Sequence, residues 1–151
     1  AMFLAVGMLT YRFRSRLIKD YGGIATRMPL LASFFMLFAM SNVGLPGTSG
    51  FVGEFMIILS AMQASFWITT IAASTLILST SYTLYLYKRV FFFLFTNPLV
   101  EASGDIHGFE KLVFILLALA IILLGVYPAP LLTIMHTSID SILHWSLQTK
   151  L

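Results

Sequence analysis

Asn42-Val43-Gly44-Leu45-Pro46-Gly47-Thr48-Ser49-Gly50-Phe51-Val52-Gly53-Glu54-Phe55 is the stretch on which the fold turns. It interrupts an apolar run from Met28 to Phe66 that is too long for one simple helix, and it does so with Gly and Pro, the residues that punctuate helices. Two arrangements fit: two helices meeting at a surface loop, or one discontinuous helix that breaks inside a membrane. The segments on either side, Pro29 to Val43 and Phe51 to Ser65, are each about 15 residues, or about 22 Å as helix. A hydrocarbon core about 30 Å thick needs about 20 residues, so each segment is short for a crossing of its own. The reading that follows is one broken helix over 29–65, with the backbone groups freed around Pro46 and Gly47 packed against protein or water.

Composition puts this stretch in a bilayer. Of 151 residues 59% are apolar and 10% charged, with 14 Phe and a mean hydropathy of +0.94. Soluble domains carry roughly 25% charged residues, so there are too few charges here to coat a wet surface. The absence of cysteine excludes a disulfide scaffold, a cysteine-held zinc or Fe–S site and a Cys nucleophile. Three His residues far apart in sequence argue against a metal site. A net charge of +3 suggests nucleic acid only if the basic residues cluster on a wet face. In a membrane protein the same excess records orientation.

Outward from the break, the charge-free runs Phe66 to Tyr87 and Leu112 to Leu132 read as crossings. Residues 1–11 are apolar but short, with basic residues after them rather than before, which is the reverse of a signal peptide. They read as the second half of a helix, so the chain is expected to be the C-terminal part of something longer. With crossings at 1–11, 29–65, 66–87 and 112–132, the loops 12–28 and 88–111 fall on one side. Arg12, Arg14, Arg16, Lys19, Arg27, Lys88, Arg89 and Lys111 then share a face, leaving Lys150 alone opposite. By the positive-inside rule that face is the cytoplasm or matrix. A surface loop at the break would have scattered these charges over both sides. Residues 135–147 place Met135, Ile139, Ile142 and Leu143 at helical spacing and read as an interfacial amphipathic helix, with Thr137 and Asp140 as a capping pair and His136, His144 and Trp145 at headgroup level. The fold class is therefore an all-α polytopic membrane protein with about four transmembrane segments, one of them discontinuous.

One acid falls inside a span. Asp20, Glu101, Asp105, Glu110 and Asp140 lie in loops or the tail, whereas Glu54 lies in the broken helix. A charge at the bilayer centre costs about 2.5–3.5 kcal/mol on insertion scales, which makes such a residue a functional candidate. Gly50, Gly53, Ile57, Ala61 and Ala64 lie around it at helical spacing, a small-sided face that invites close contact. Thr48 or Ser49 can cap the restarted helix. Burial disfavours a carboxylate and a neighbouring cation favours it, so a carboxyl held between the two can exchange protons. The competing reading is a Glu paired permanently with a Lys or a backbone donor of a neighbouring helix. In 66–87, Ala72-Thr75-Ser79-Tyr82 and Thr69-Ala73-Thr80-Thr83 form two polar stripes, for which helix packing is the expected role ahead of lining a water path. No phosphate loop, nucleotide fingerprint or hydrolase triad is present.

The segments Tyr21-Gly22-Gly23-Ile24-Ala25-Thr26-Arg27-Met28-Pro29, Asn42 through Phe55 and Gly125-Val126-Tyr127-Pro128 together resemble the antiporter-like membrane subunits of respiratory complex I, NADH:ubiquinone oxidoreductase. Sister subunits usually carry Lys where this chain has Glu54, which points to the subunit 4 (bacterial subunit M) branch. The resemblance implies that Glu54 sits in the family's second broken helix as the terminal proton-carrying group, and that the lysine-bearing helices lie upstream. It implies no cofactor on this chain, with NADH, flavin, Fe–S clusters and quinone on other subunits. The implied partners are other complex I membrane subunits, a chain supplying the missing N-terminal helices, and lipid, with no nucleic acid. The implied location is an energy-transducing membrane, the mitochondrial inner membrane ahead of a bacterial plasma membrane. Two functions are open: a proton-translocating module using Glu54, and a scaffold segment that completes the helix bundle.

Overall fold

The computed structural model describes residues 1–93, 100, 103–136 and 139, and among these the regular structure is entirely helical. Among the described residues the chain passes through helices α1 Met2–Phe13, α2 Ile24–Arg27, α3 Pro29–Asn42, α4 Ser49–Ala64, α5 Phe66–Phe91 and α6 Gly108–Val126. A 3₁₀ turn, Ile18–Asp20, lies in the basic loop between α1 and α2.

The apolar run from 28 to 66 is interrupted where its Gly and Pro residues stand, α3 stopping at Asn42 and α4 starting at Ser49. Three helix ends lie elsewhere than the ends of the charge-free runs read as crossings. Helix α5 continues past Tyr87 to Phe91, because Lys88 and Arg89 in its last turn sit against the negative end of the helix dipole and do not terminate it. Helix α6 starts at Gly108 rather than Leu112, with Glu110 in its first turn, where a carboxylate is favoured. It ends at Val126 rather than Leu132. The residue before a proline is pushed out of the α region, and Tyr127, before Pro128, has φ −129° and ψ 73°. The chain is helical again over 129–136. The tail helix expected over 135–147 lies outside the described residues apart from 135, 136 and 139.

Among the described residues, α6 is the one helix both long and apolar enough to cross a membrane, with 19 residues and a mean hydropathy of 2.6. Helix α5 is longer, at 26 residues, but its Ser and Thr residues dilute its apolar character. Helices α1, α3 and α4 are apolar and shorter.

The core gathers around α3. Its Leu31, Ala32, Phe35, Phe38 and Ala39 are buried against Phe13 of α1, Phe91 of α5 and Phe114 of α6. Aromatic rings supply the contact: Phe35 meets Phe91 at 4.9 Å between centroids, and Phe34 and Phe38 meet Phe114 at 5.9 and 5.8 Å.

The last turn of α1 and the first turn of α3 meet the start of α6 and the residues before it at one end of this bundle. The Arg12 guanidinium pairs with Glu110 at 2.5 Å and donates to the Gly104 carbonyl at 2.6 Å. Asp105 accepts from the N–H groups of Leu30 (2.7 Å), Leu31 (3.2 Å) and Ile106 (2.7 Å). It thereby caps α3 from 75 residues away along the chain, the service a local N-cap side chain usually provides.

Candidate functional site

The break is built from two glycine turns in series. At the end of α3, Leu45 N–H donates to the Met40 carbonyl (3.0 Å) and Gly44 N–H to the Ser41 carbonyl (3.2 Å). This is the Schellman pattern, which needs a left-handed residue just past the helix. Gly44 supplies it with φ 82°. Next, Thr48 N–H donates to the Leu45 carbonyl at 3.1 Å, closing a turn over Pro46 and Gly47. Pro at the second position and a positive φ at the third define a type II turn, and Gly47 has φ 90°. Thr48 occupies the N-cap position of α4, yet its hydroxyl caps nothing: it donates back to the Leu45 carbonyl at 2.7 Å.

Two further glycines let backbone approach backbone at this point. A Cβ added at Gly50 would stand 1.9 Å from the Ser41 carbonyl oxygen, so the start of α4 lies directly on the end of α3. A Cβ at Gly125 would stand 2.4 Å from the Thr48 Cα and from the Gly47 carbonyl oxygen, so α6 lies directly on the break. Gly53, expected to share in close contact, has nothing within 4 Å of its Cβ position and is exposed. Of the expected site residues, Pro46, Gly47, Gly50 and Glu54 converge on the break, and Gly53 faces outward.

Glu54 stands one turn beyond Gly50, and its side chain runs back toward the N-terminus of α4, as helical side chains do. Its Oε2 reaches Gly44, where an added Cβ would lie 2.3 Å from it. Gly44 therefore serves twice, for its positive φ and for the space its missing side chain leaves to the carboxyl. Among the described residues that oxygen is buried without a hydrogen-bond partner and Glu54 forms no ion pair. The permanently paired Glu weighed above has no counterpart within these residues.

Two open cavities share Glu54 as part of their walls. One, of about 600 Å³, extends past Ser41, Asn42 and Ser49 to Met2 of α1 and Ile121 of α6. The other, of about 500 Å³, lies between α4 and α5 and is lined by Ala72, Thr75, Ser79 and Tyr82. These four residues are one of the two polar stripes. The other stripe packs: Thr69 and Thr83 are buried, while Thr69 and Thr80 donate to the Ser65 and Leu76 carbonyls at 2.9 and 2.7 Å. Packing was the role expected of both, and the Thr75-Ser79-Tyr82 face departs from it by lining a cavity. Spacing placed these hydroxyls on one face; it carried no information about which neighbour that face would meet. Gly125 was quoted for the resemblance with no role attached, its only signal being a glycine near the end of an otherwise apolar helix. Among the described residues no cluster of three or more His, Cys, Asp and Glu could hold a metal ion.

Comparison with known proteins bears on the family and the fold. Residues 1–80 match the family described as NADH:quinone oxidoreductase/Mrp antiporter, TM. The NADH-ubiquinone oxidoreductase chain 4 of Marchantia polymorpha is 39% identical over 142 residues, covering 94% of this chain and 29% of that protein. The NADH-quinone oxidoreductase subunit M of Rhodobacter capsulatus is 46% identical over 129 residues, covering 85% of this chain and 25% of that one. Among solved structures, a chain of respiratory complex I from Thermus thermophilus with bound NADH superposes with a TM-score of 0.73 at 35% identity, over 83% of this chain and 26% of that one. The chain thus spans between a quarter and a third of the length of the proteins it matches.

Proposed function

The chain belongs to the NADH:quinone oxidoreductase/Mrp antiporter membrane family, on its chain 4 and subunit M side, and from that premise we propose that it contributes to proton translocation in the membrane arm of NADH:ubiquinone oxidoreductase, with Glu54 as the group that takes up and releases the proton. The observation that carries this reading is the Glu54 carboxyl itself. It has one buried, unpartnered oxygen, it stands at a helix break, and it borders two cavities. A carboxyl locked in an ion pair resists protonation, whereas one with an open hydrogen-bonding position and room for water can exchange a proton.

The break supports the same role electrostatically. The first N–H groups of α4 and the last carbonyls of α3 end there, so a positive and a negative helix terminus adjoin. Discontinuous helices use such ends to build polar sites at membrane depth. Residues 29–65 then act as one broken crossing, the loops 12–28 and 88–111 lie on the matrix or cytoplasmic side, and the mitochondrial inner membrane is favoured over a bacterial plasma membrane. NADH, flavin, Fe–S clusters and quinone belong to other subunits in this reading. The helices that precede this chain in its relatives close the outer side of the cavity by Met2, Ser41 and Glu54, leaving its Ser41 and Ser49 wall as the polar approach to the carboxyl. The remaining apolar surface meets lipid or other membrane subunits of the complex.

The test is Glu54→Gln in the whole complex, reading protons pumped per NADH oxidised in sealed vesicles. The expected result is a lower stoichiometry from a complex that assembles normally. An unchanged stoichiometry with normal assembly sinks the proposal. Reduced complex abundance, with the surviving complex pumping normally, replaces it with the scaffold reading.

A further inference from the structure

We propose that the cavity between α4 and α5 is a water-filled passage for the proton of Glu54, and that Ser79 and Tyr82 are its hydroxyl relay; this rests on the proton-carrying reading of Glu54. Hydroxyls on a membrane helix ordinarily turn back on their own backbone, since hydrocarbon offers no other acceptor. Along α5 the rule is followed by Thr70, Ser74, Thr75, Thr80 and Ser81, which donate to the carbonyls of Phe66, Ile71, Ala72, Leu76 and Ile77. Ser79 departs from it. Its hydroxyl is directed to the Tyr82 hydroxyl oxygen at 3.3 Å, and both residues line the cavity that Glu54 borders.

The cavity has the capacity for water. At about 30 Å³ of liquid volume per molecule, its roughly 500 Å³ holds on the order of ten waters, and its wall offers a carboxyl, three hydroxyls and otherwise apolar side chains. The transfer balances without any other reactant. The protonated Glu54 carboxyl gives its proton to a cavity water. Ser79 accepts that proton on oxygen as it releases its own to the Tyr82 oxygen, and Tyr82 releases its own to water at the open mouth of the cavity. Both hydroxyls end neutral, Glu54 ends as a carboxylate and the proton leaves hydrated. Reprotonation comes from the other cavity, the one reached through Ser41 and Ser49. A single carboxyl bordering two compartments thus separates an entry from an exit.

Two measurements on the whole complex test this. This chain has no cysteine, so a single Cys introduced at Thr75, Ser79 or Ile77 is its one thiol, and reagent uptake is read on the isolated peptide that carries it against the unsubstituted complex. A charged, membrane-impermeant thiol reagent is expected to modify Thr75→Cys and Ser79→Cys at least tenfold faster than Ile77→Cys, because Ile77 is exposed but is not part of the cavity wall. Separately, Ser79→Ala combined with Tyr82→Phe is expected to lower protons pumped per NADH toward the Glu54→Gln value, with the complex still assembled. Tyr82 is 61% exposed, so losing its hydroxyl removes no packing. If Glu54→Gln is impaired while the two cavity cysteines stay unreactive, or while the double variant pumps like the parent, the relay is overturned and the role of Glu54 stands. If Glu54→Gln itself pumps normally, the underlying function falls as well.

Discussion

The two halves of the interrupted helix are alike in composition and opposite in circumstance. Helix α3 buries Leu31, Ala32, Phe35, Phe38, Ala39 and Ser41, whereas α4, just as apolar to the eye, has no buried residue. One half is the centre of the aromatic core. The other half carries Glu54 and is held at its first turn by Gly50 on Ser41 and by Gly125 on Thr48. A functional helix needs a fixed point and a free surface, and here the break separates the two, so α3 supplies the fixed point and α4 the surface.

The strongest challenge to that division is Phe35→Ala. Phe35 is 3% exposed and stacks near Phe91 and Tyr87, and deleting a buried aromatic typically costs about 3–5 kcal/mol. The expected outcome is loss of this chain from the assembled complex, read as subunit abundance on native gels. Next is the junction, where Gly125→Ala forces a methyl group onto the Thr48 backbone. Overpacking of this kind costs about 1–3 kcal/mol. It is expected to lower the thermal midpoint of the complex, and proton pumping along with it if the break moves. Third, Asp105→Ala uncaps α3 at its far end. A lost cap costs about 0.5–2 kcal/mol, and Asp105→Asn is expected to recover only part of that stability. The Leu30 N–H bonds to one carboxylate oxygen and the Leu31 and Ile106 N–H groups to the other, whereas an amide has one accepting oxygen. The smallest effect belongs to α4: Ile57 is 65% exposed, and Ile57→Ala is expected to change the folding of this chain by under about 0.5 kcal/mol. A loss matching Phe35→Ala would invert the comparison and make α4 the anchored half.

The interruption was legible because its devices are local. Gly44 past the end of one helix and Pro46-Gly47 before the next are turn chemistry that can be read letter by letter. Glu54 stood out for an equally local reason, as the one acid away from every loop. Helix α5 continues past its charge-free run and α6 starts before its own, because a charge does not by itself mark a helix end. Lys88, Arg89 and Glu110 each have the sign that a helix end favours and lie inside the helix instead. The cap on α3 could not be read at all, since Asp105 and Leu30 are far apart in sequence and only the folded chain brings them together. The same holds for Gly125 on Thr48 and for the choice of which α5 stripe packs and which lines a cavity.

The contact of Gly125 with the break has a mechanical side. Between most packed helices the side chains act as springs, since they can change rotamer and take up small displacements. At Gly125 there is no such spring: the α6 backbone rests on the Gly47–Thr48 backbone, and close-packed protein matter compresses little. A displacement of α6 toward the break would therefore meet backbone at once, with no side chain between them to cushion it.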